Sequence, residues 1–180
     1  MLRKSLGSLA LAGVLLAAIV PATLAKSVVV PPSKATATIV EIADGAGAFT
    51  TLLAAVGCAD PAVGAALTSG DQYTVFAPTD AAFGDAGLTA ANICTAVPQG
   101  VLTQILLYHV EEGRHFSNSV LPKRDGQMKT ISTLLGQSFR VNSTGAISTA
   151  SGGQSQIDKA NIPATNGVIH VVNAVLFPKL

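Results

Sequence analysis

The stretch Tyr73-Thr74-Val75-Phe76-Ala77-Pro78-Thr79-Asp80-Ala81-Ala82-Phe83 reads as a strand running into a helical turn. Gln72 to Ala77 is rich in β-branched and aromatic residues, which suit a pleated, half-buried surface. Tyr73, Val75 and Phe76 bring large apolar groups to the core, and Pro78 ends the run because it has no N–H for a ladder. Thr79 or Asp80 can then accept orphan backbone N–H bonds of a short turn over Asp80 to Phe83. This is scaffold chemistry.

Upstream, the pattern is helical. Ile39 and Ile42 sit three apart, and beyond Gly45-Ala46-Gly47 the residues Phe49, Leu52, Leu53 and Val56 recur at i, i+3, i+4 and i+7. That spacing predicts an amphipathic helix, with Gly57 expected to stop it. Asp60-Pro61 supplies an N-cap and a first-turn proline for a short helix ending near Leu67.

Downstream, Val101, Leu102, Ile105, Leu106 and Tyr108 or His109 form one apolar stripe from Pro98 to Tyr108, closed by Glu111-Glu112-Gly113. After Arg114 the texture changes to short segments split by Gly, Ser and Asn: His115–Leu121, Met128–Leu135, Ser138–Val141, Ala146–Thr149, Gln156–Ile162 and Val168–Val172. Thr165-Asn166-Gly167 reads as a turn in which Asn and Gly accept positive φ, feeding the Val-Ile-rich last strand. Helices first and strands afterwards imply an α+β fold and argue against an alternating parallel sheet.

The chain has 180 residues, 49% apolar and 12% charged. Met1-Leu2-Arg3-Lys4, an uncharged apolar run through Val20 and the small-residue end Thr23-Leu24-Ala25 predict a secretory signal peptide over 1–25. Losing Arg3 and Lys4, and no acid, takes the formal charge from +1 to −1. Residues 26–35, with Pro31-Pro32, read as an extended leader, and 36–178 as one domain. The expected product is secreted, periplasmic or extracellular, with no stable transmembrane anchor once the signal is removed. No block of basic residues could neutralise several phosphates, so nucleic acid is not expected as a partner, and sparse charge argues against electrostatic partners in general. In an oxidising compartment Cys58 and Cys94 are expected to pair, with two separate buried thiols as the alternative.

Motifs for chemistry are weak. Asp44-Gly45-Ala46-Gly47 lacks the strand and third glycine of a dinucleotide loop and reads as a helix–helix joint. Gly136-Gln137-Ser138 and Gly153-Gln154-Ser155 complete no nucleophile elbow. His109, His115 and His170 match no common zinc spacing, so neither a metal nor a cofactor is expected. His170, within an apolar strand, reads as a buried, hydrogen-bonded residue. Asn142-Ser143-Thr144 is a glycosylation sequon on an expected surface hairpin.

Three segments in order resemble the fasciclin-like (FAS1) domain family: Tyr73 to Phe83, Leu106-Leu107-Tyr108-His109-Val110, and Asn166 to Pro178. The resemblance implies a seven-stranded β-wedge with several packed helices, and a non-catalytic role in cell adhesion and matrix association. It also implies candidate partner-binding residues: Tyr108 and His109 match the family's tyrosine-histidine motif, and Asn161-Ile162 fall where animal members carry an Asp-Ile pair linked to integrin contact. The amide at Asn161 departs from that acid, which argues against integrin-type recognition because a bound metal ion favours an anionic ligand. The leading expectation is an adhesion module binding a protein or polysaccharide at the cell surface or in the extracellular matrix. A carrier of small molecules or lipids in an apolar pocket, and a hydrolase using His109 or His170, are the alternatives.

Overall fold

The structure is a computed structural model and describes residues 35–180. The expected signal peptide lies outside them, as does the expected leader apart from Ala35. Six helices, α1 (Ile39–Ala46), α2 (Thr50–Cys58), α3 (Pro61–Thr68), α4 (Asp80–Asp85), α5 (Ile93–Ala96) and α6 (Gln99–Tyr108), surround strand β1 (Tyr73–Pro78) in sequence. There follow β2 (Val110–Glu112), α7 (Ser117–Val120), β3 (Met128–Ser132), β4 (Ser138–Asn142), β5 (Ala146–Ser148), β6 (Gln154–Ala164) and β7 (Gly167–Val172). The seven strands run in the order β2-β1-β7-β6-β5-β4-β3. All pairs are antiparallel except β1 with β7. Leu134, just past β3, donates its N–H to Val110 O on β2 at 2.8 Å, so the two ends of this order meet and the sheet closes into a wedge.

Local signals place the helices. Thr38 and Glu41 form a reciprocal capping box on α1, and Gly47 ends that helix with φ 64°. Asp60 accepts from Ala62 N ahead of Pro61, and Thr79 accepts from Ala82 N at the start of α4. The helical side buries one apolar cluster that includes Leu52, Ala55, Ile93, Leu102, Ile105 and Ile169. A second, around Phe76, Tyr108, Ile131, Phe139, Val141 and Ile147, fills the wedge. Phe139 meets Phe76 and Tyr108 edge-on at 5.0 and 5.8 Å.

Several sequence expectations change. Gly57 does not stop α2, which continues to Cys58; the break comes at Ala59 in extended conformation, ahead of the cap and proline of α3. His115–Leu121 holds a helical turn, α7, instead of a strand. Glu111 and Glu112 do not close α6, because the chain is extended from Val110 and pairs with β1. The short α5 carries Cys94, which is bonded to Cys58 with Cα atoms 5.6 Å apart.

The turn before β7 also works differently. Asn161 is the one non-glycine residue with positive φ among the described residues, so Asn166 does not adopt that conformation. Asn166 is instead buried, with Oδ1 accepting from Ile39 N at 2.9 Å and Nδ2 donating to Leu67 O at 2.6 Å, so it ties α1 and α3 to the sheet. Gly167 is required by proximity: a Cβ there would stand 1.9 Å from Tyr73 O.

Candidate functional site

Tyr108 and His109 sit where α6 runs into β2, and both are buried. The Tyr108 hydroxyl donates to Ser138 O at 3.0 Å and accepts from Ala150 N at 3.4 Å, joining α6 to β4 and to the chain after β5. Burial raises its pKa. Leu176 N donates to His109 Nε2 at 2.9 Å, which fixes the tautomer: Nδ1 carries the proton and donates to Ile105 O at 2.7 Å. Burial in apolar surroundings lowers the pKa of His109 from 6.5 to about 4, partly opposed by the Ile105 carbonyl. These two side chains offer no outer surface to a partner; they hold the helix, the wedge and the C-terminal segment together.

Asn161 and Ile162 lie at an irregularity of β6, where the pairing with β7 shifts register between Lys159 and Ile162. Asn161 takes φ 64°, a conformation Asn tolerates better than most residues. Both ends of its amide bond to Ser117: Oδ1 accepts from Ser117 N at 2.6 Å and Nδ2 donates to Ser117 Oγ at 2.7 Å. Asn161 is exposed but committed to α7, and Ile162 is half-buried against the helical cluster. Phe76 connects the two pairs: its N–H donates to His109 O at 2.9 Å, and its ring stacks on His170 at 5.5 Å. His170 donates from Nε2 to His115 O at 2.9 Å and accepts from Asn161 N at 3.4 Å.

This geometry bears on both alternatives. Both ring nitrogens of His109 and of His170 are bonded to backbone groups, so neither imidazole is placed to serve as a general base. The apolar pocket beside His109, among residues of α1, α2, α6 and β2, has a volume of about 30 Å³. A small-molecule site needs roughly 300 Å³ or more, so this space does not fit a lipid or carrier role.

The solvent face of β3–β6 has a different character. Ile131, Phe139, Val141 and Ile147 point into the wedge, so the alternate residues Thr130, Ser138, Arg140, Ser148 and Gln154 lie outside. Across the strands Thr130 pairs with Arg140 and Arg140 with Ser148. An open groove of about 410 Å³ runs here. The residues flanking it carry an unexpected charge pattern. Residues 35–113 contain eight acids and no Lys or Arg, whereas 114–180 contain seven Lys or Arg and two acids. The domain is near neutral in sum but divided along the chain into an acidic part that carries α1 to α6 with β1 and β2, and a basic part that carries α7 and β3 to β7. Among the described residues no Lys or Arg pairs with a carboxylate; His115 Nε2 lies 4.0 Å from Glu111 Oε1. Burial raises the pKa of Glu111, against the favourable charges of His115 and Lys129.

The Arg140 face was missed in the sequence, although the alternation Ser138-Phe139-Arg140-Val141-Asn142 already turns the arginine outward, and the 32 residues from 126 to 157 contain no acid.

The Fasciclin domain model matches residues 47–178. Protein sll1483 of Synechocystis is 35% identical over 79% of this chain and 74% of its own length. The immunogenic protein MPB70 of Mycobacterium bovis is 35% identical over 72% of the chain and 63% of its own. The transforming growth factor-beta-induced protein ig-h3 of Sus scrofa is 31% identical over 78% of this chain, which spans only 19% of that protein. Among solved structures, a FAS1 domain pair from the insect cell adhesion molecule Fasciclin I aligns with a TM-score of 0.55 at 17% identity, covering 73% of this chain and 46% of the other. With its three signatures in order, its helix-flanked seven-stranded wedge and these likenesses, the chain belongs to the fasciclin domain family.

Proposed function

We propose that this protein is an exported, non-catalytic interaction module that adheres to a protein or polysaccharide at the cell surface or in the extracellular matrix. The observation that carries the reading is the division of labour in the domain. Tyr108, His109 and His170, the side chains with chemistry to offer, are consumed by structural hydrogen bonds inside it. The outer face of β3–β6, by contrast, has polar groups with no role in the core. Adhesion is consistent with the insect cell adhesion molecule that shares the fold. Export rests on the basic, then apolar, then small-residue order of residues 1–25. Among the described residues no helix is long and apolar enough to cross a membrane.

Two measurements test this. N-terminal sequencing of the protein from the medium or periplasm is expected to begin near Lys26; an intact Met1 start in the cytosol would overturn export. The folded protein is expected to bind intact cells or a matrix array saturably, and a verified fold that binds neither would overturn the adhesion reading.

A further inference from the structure

Three of the eight carboxylates in residues 35–113 are held in place by helix caps. Glu41 is held by Thr38, Asp60 by Ala62 N, and Asp80 by Thr50 and Thr51. The Arg140 side chain has no such employment: among the described residues no hydrogen bond or ion pair to the protein engages its guanidinium. It stands in the open groove, between Thr130 and Ser148 on the neighbouring strands, with Ser138 and Thr149 also lining the space.

Further cations lie beyond both ends of β4. Asp125 accepts from Ser143 Oγ at 2.8 Å, which brings the loop carrying Lys123 and Arg124 to the β4–β5 turn. At the other end the Gln137 side chain holds Lys179 by its N–H and carbonyl, at 3.0 and 2.8 Å. Cationic residues thus flank and occupy a track at least as long as β4, about 17 Å for five extended residues.

We propose that this face binds a linear acidic polysaccharide, with Arg140 receiving a carboxylate or sulfate and the surrounding hydroxyls meeting sugar oxygens. A guanidinium offers a planar fork of donors suited to such groups, and Ser and Thr both donate and accept as sugar hydroxyls require. The face presents no exposed aromatic ring on which nucleobases could stack, which disfavours single-stranded nucleic acid. The acidic half repels the polymer and so orients the domain with its sheet toward it.

The proposal rests on the adhesion-module reading and is tested separately from it. The secreted protein is passed over immobilised polygalacturonate, dextran sulfate and neutral dextran, alongside Arg140→Glu, Arg140→Gln and the control Asp85→Lys, each checked by thermal melting. Wild type is expected to be retained on an acidic polymer and not on dextran, with affinity falling at least about tenfold between about 50 and 200 mM salt. R140E and R140Q should weaken binding at least about tenfold, and D85K should not weaken it. Equal binding by the Arg140 variants, or equal binding to neutral dextran, would overturn the proposal. So would tighter binding to DNA than to either acidic polymer. Self-association in the absence of polymer, lost in R140E, would reassign the face to a second copy. Failure on both acidic polymers while a matrix array finds another partner would remove this inference and leave the module reading standing.

Discussion

The imidazole of His109 receives the backbone N–H of Leu176 at 2.9 Å, 67 residues further along the chain. That bond requires an unprotonated Nε2, so the folded domain selects neutral histidine. A buried ring held at about 4, against 6.5 for an ordinary histidine, makes stability pH-dependent. Above pH 6.5 the ring is neutral in both states and the contribution is complete. As pH falls from 6.5 toward 4, the unfolded chain takes up a proton that the folded one refuses, and stability is lost. At pH 5 the loss from this residue is about 2 kcal/mol relative to pH 7. The pKa of His170, lowered chiefly by burial, acts in the same direction. Urea unfolding at pH 7 and 5 checks this: His109→Leu should be less stable at pH 7 yet lose less on acidification. An unchanged pH slope would exclude His109 as its source.

Gly167 is a second point where the backbone permits one residue. Its Cβ would fall 1.9 Å from Tyr73 O, within the parallel β1–β7 pairing that anchors the sheet to the helices. Backbone cannot rotate away as a side chain can, so Gly167→Ala should cost more than about 3 kcal/mol. Thermal melting is expected to drop by at least about 6 °C or to lose its cooperative transition. A variant that melts within about 2 °C of wild type would show that the strands separate more easily than their register suggests.

What the sequence disclosed follows from range. The cap at Asp60-Pro61, the Tyr73 to Phe83 strand and turn, and the stripe of Val101 to Tyr108 are local patterns, and each appears in the fold. The three-residue β2 was not legible because its pairing with β1 bridges the whole of α4 to α6. Ser117 helps start a helical turn after Phe116, and its partner Asn161 is 44 residues away. The buried amide of Asn166 has the same character, since its two partners lie 127 and 99 residues upstream. In the candidate site, the burial of Tyr108 and His109 was foreshadowed by the apolar stripe that contains them. The charge division was present in the sequence but becomes meaningful once β3 to β6 are seen to present one polar face carrying Arg140.

Asn161 tests what an amide at φ 64° contributes to the irregularity of β6. Asn161→Asp retains tolerance of positive φ and an acceptor for Ser117 N, and the Ser117 hydroxyl can turn to donate. Its cost should be under about 1 kcal/mol. Asn161→Val removes both bonds and places a β-branched residue at φ 64°, so it should cost about 2 to 4 kcal/mol. Chemical denaturation of the two variants gives the comparison. Equal losses would mean that neither the backbone conformation nor the Ser117 bonds matter at the bulge.

Asp80 links the strand-ending signature to the helix before it. Its Oδ1 accepts from Thr51 N at 2.7 Å, and Oδ2 accepts from Thr50 N and Oγ1 at 3.2 and 2.7 Å, so a carboxylate 30 residues away caps α2. Phe49, the residue in the capping position, supplies no side-chain bond. Burial raises the Asp80 pKa, but the bonds from Thr51 and Thr50 outweigh it and the net shift is downward from 3.8. This contribution is therefore present above the unfolded value and lost as pH falls through the lower folded one, in a more acidic window than that of His109. Asp80→Ala should cost about 1 to 2 kcal/mol at pH 7, the usual range for a lost N-cap with a favourable dipole interaction. Its amide exchange should accelerate at Thr50 and Thr51 before it does so in β7. Protection unchanged at those two amides would show that α2 is held by packing of Leu52 and Ala55 alone.

Cys58 and Cys94 tie the end of α2 to α5 across a separation of 36 residues. The four-residue α5 is too short to persist by helix propensity, so its position depends on Ile93 in the core and on this bond. In the chain-entropy model a loop of that length contributes about 3 to 4 kcal/mol. Cys58→Ser with Cys94→Ser should therefore lower the melting temperature by roughly 10 °C, and reduction of the wild type should do the same. Thiol titration of the secreted protein under denaturing conditions should find none before reduction and two afterwards. Two thiols without reduction would mean that the pair is not oxidised in its compartment, and the melting temperature would then be indifferent to reductant.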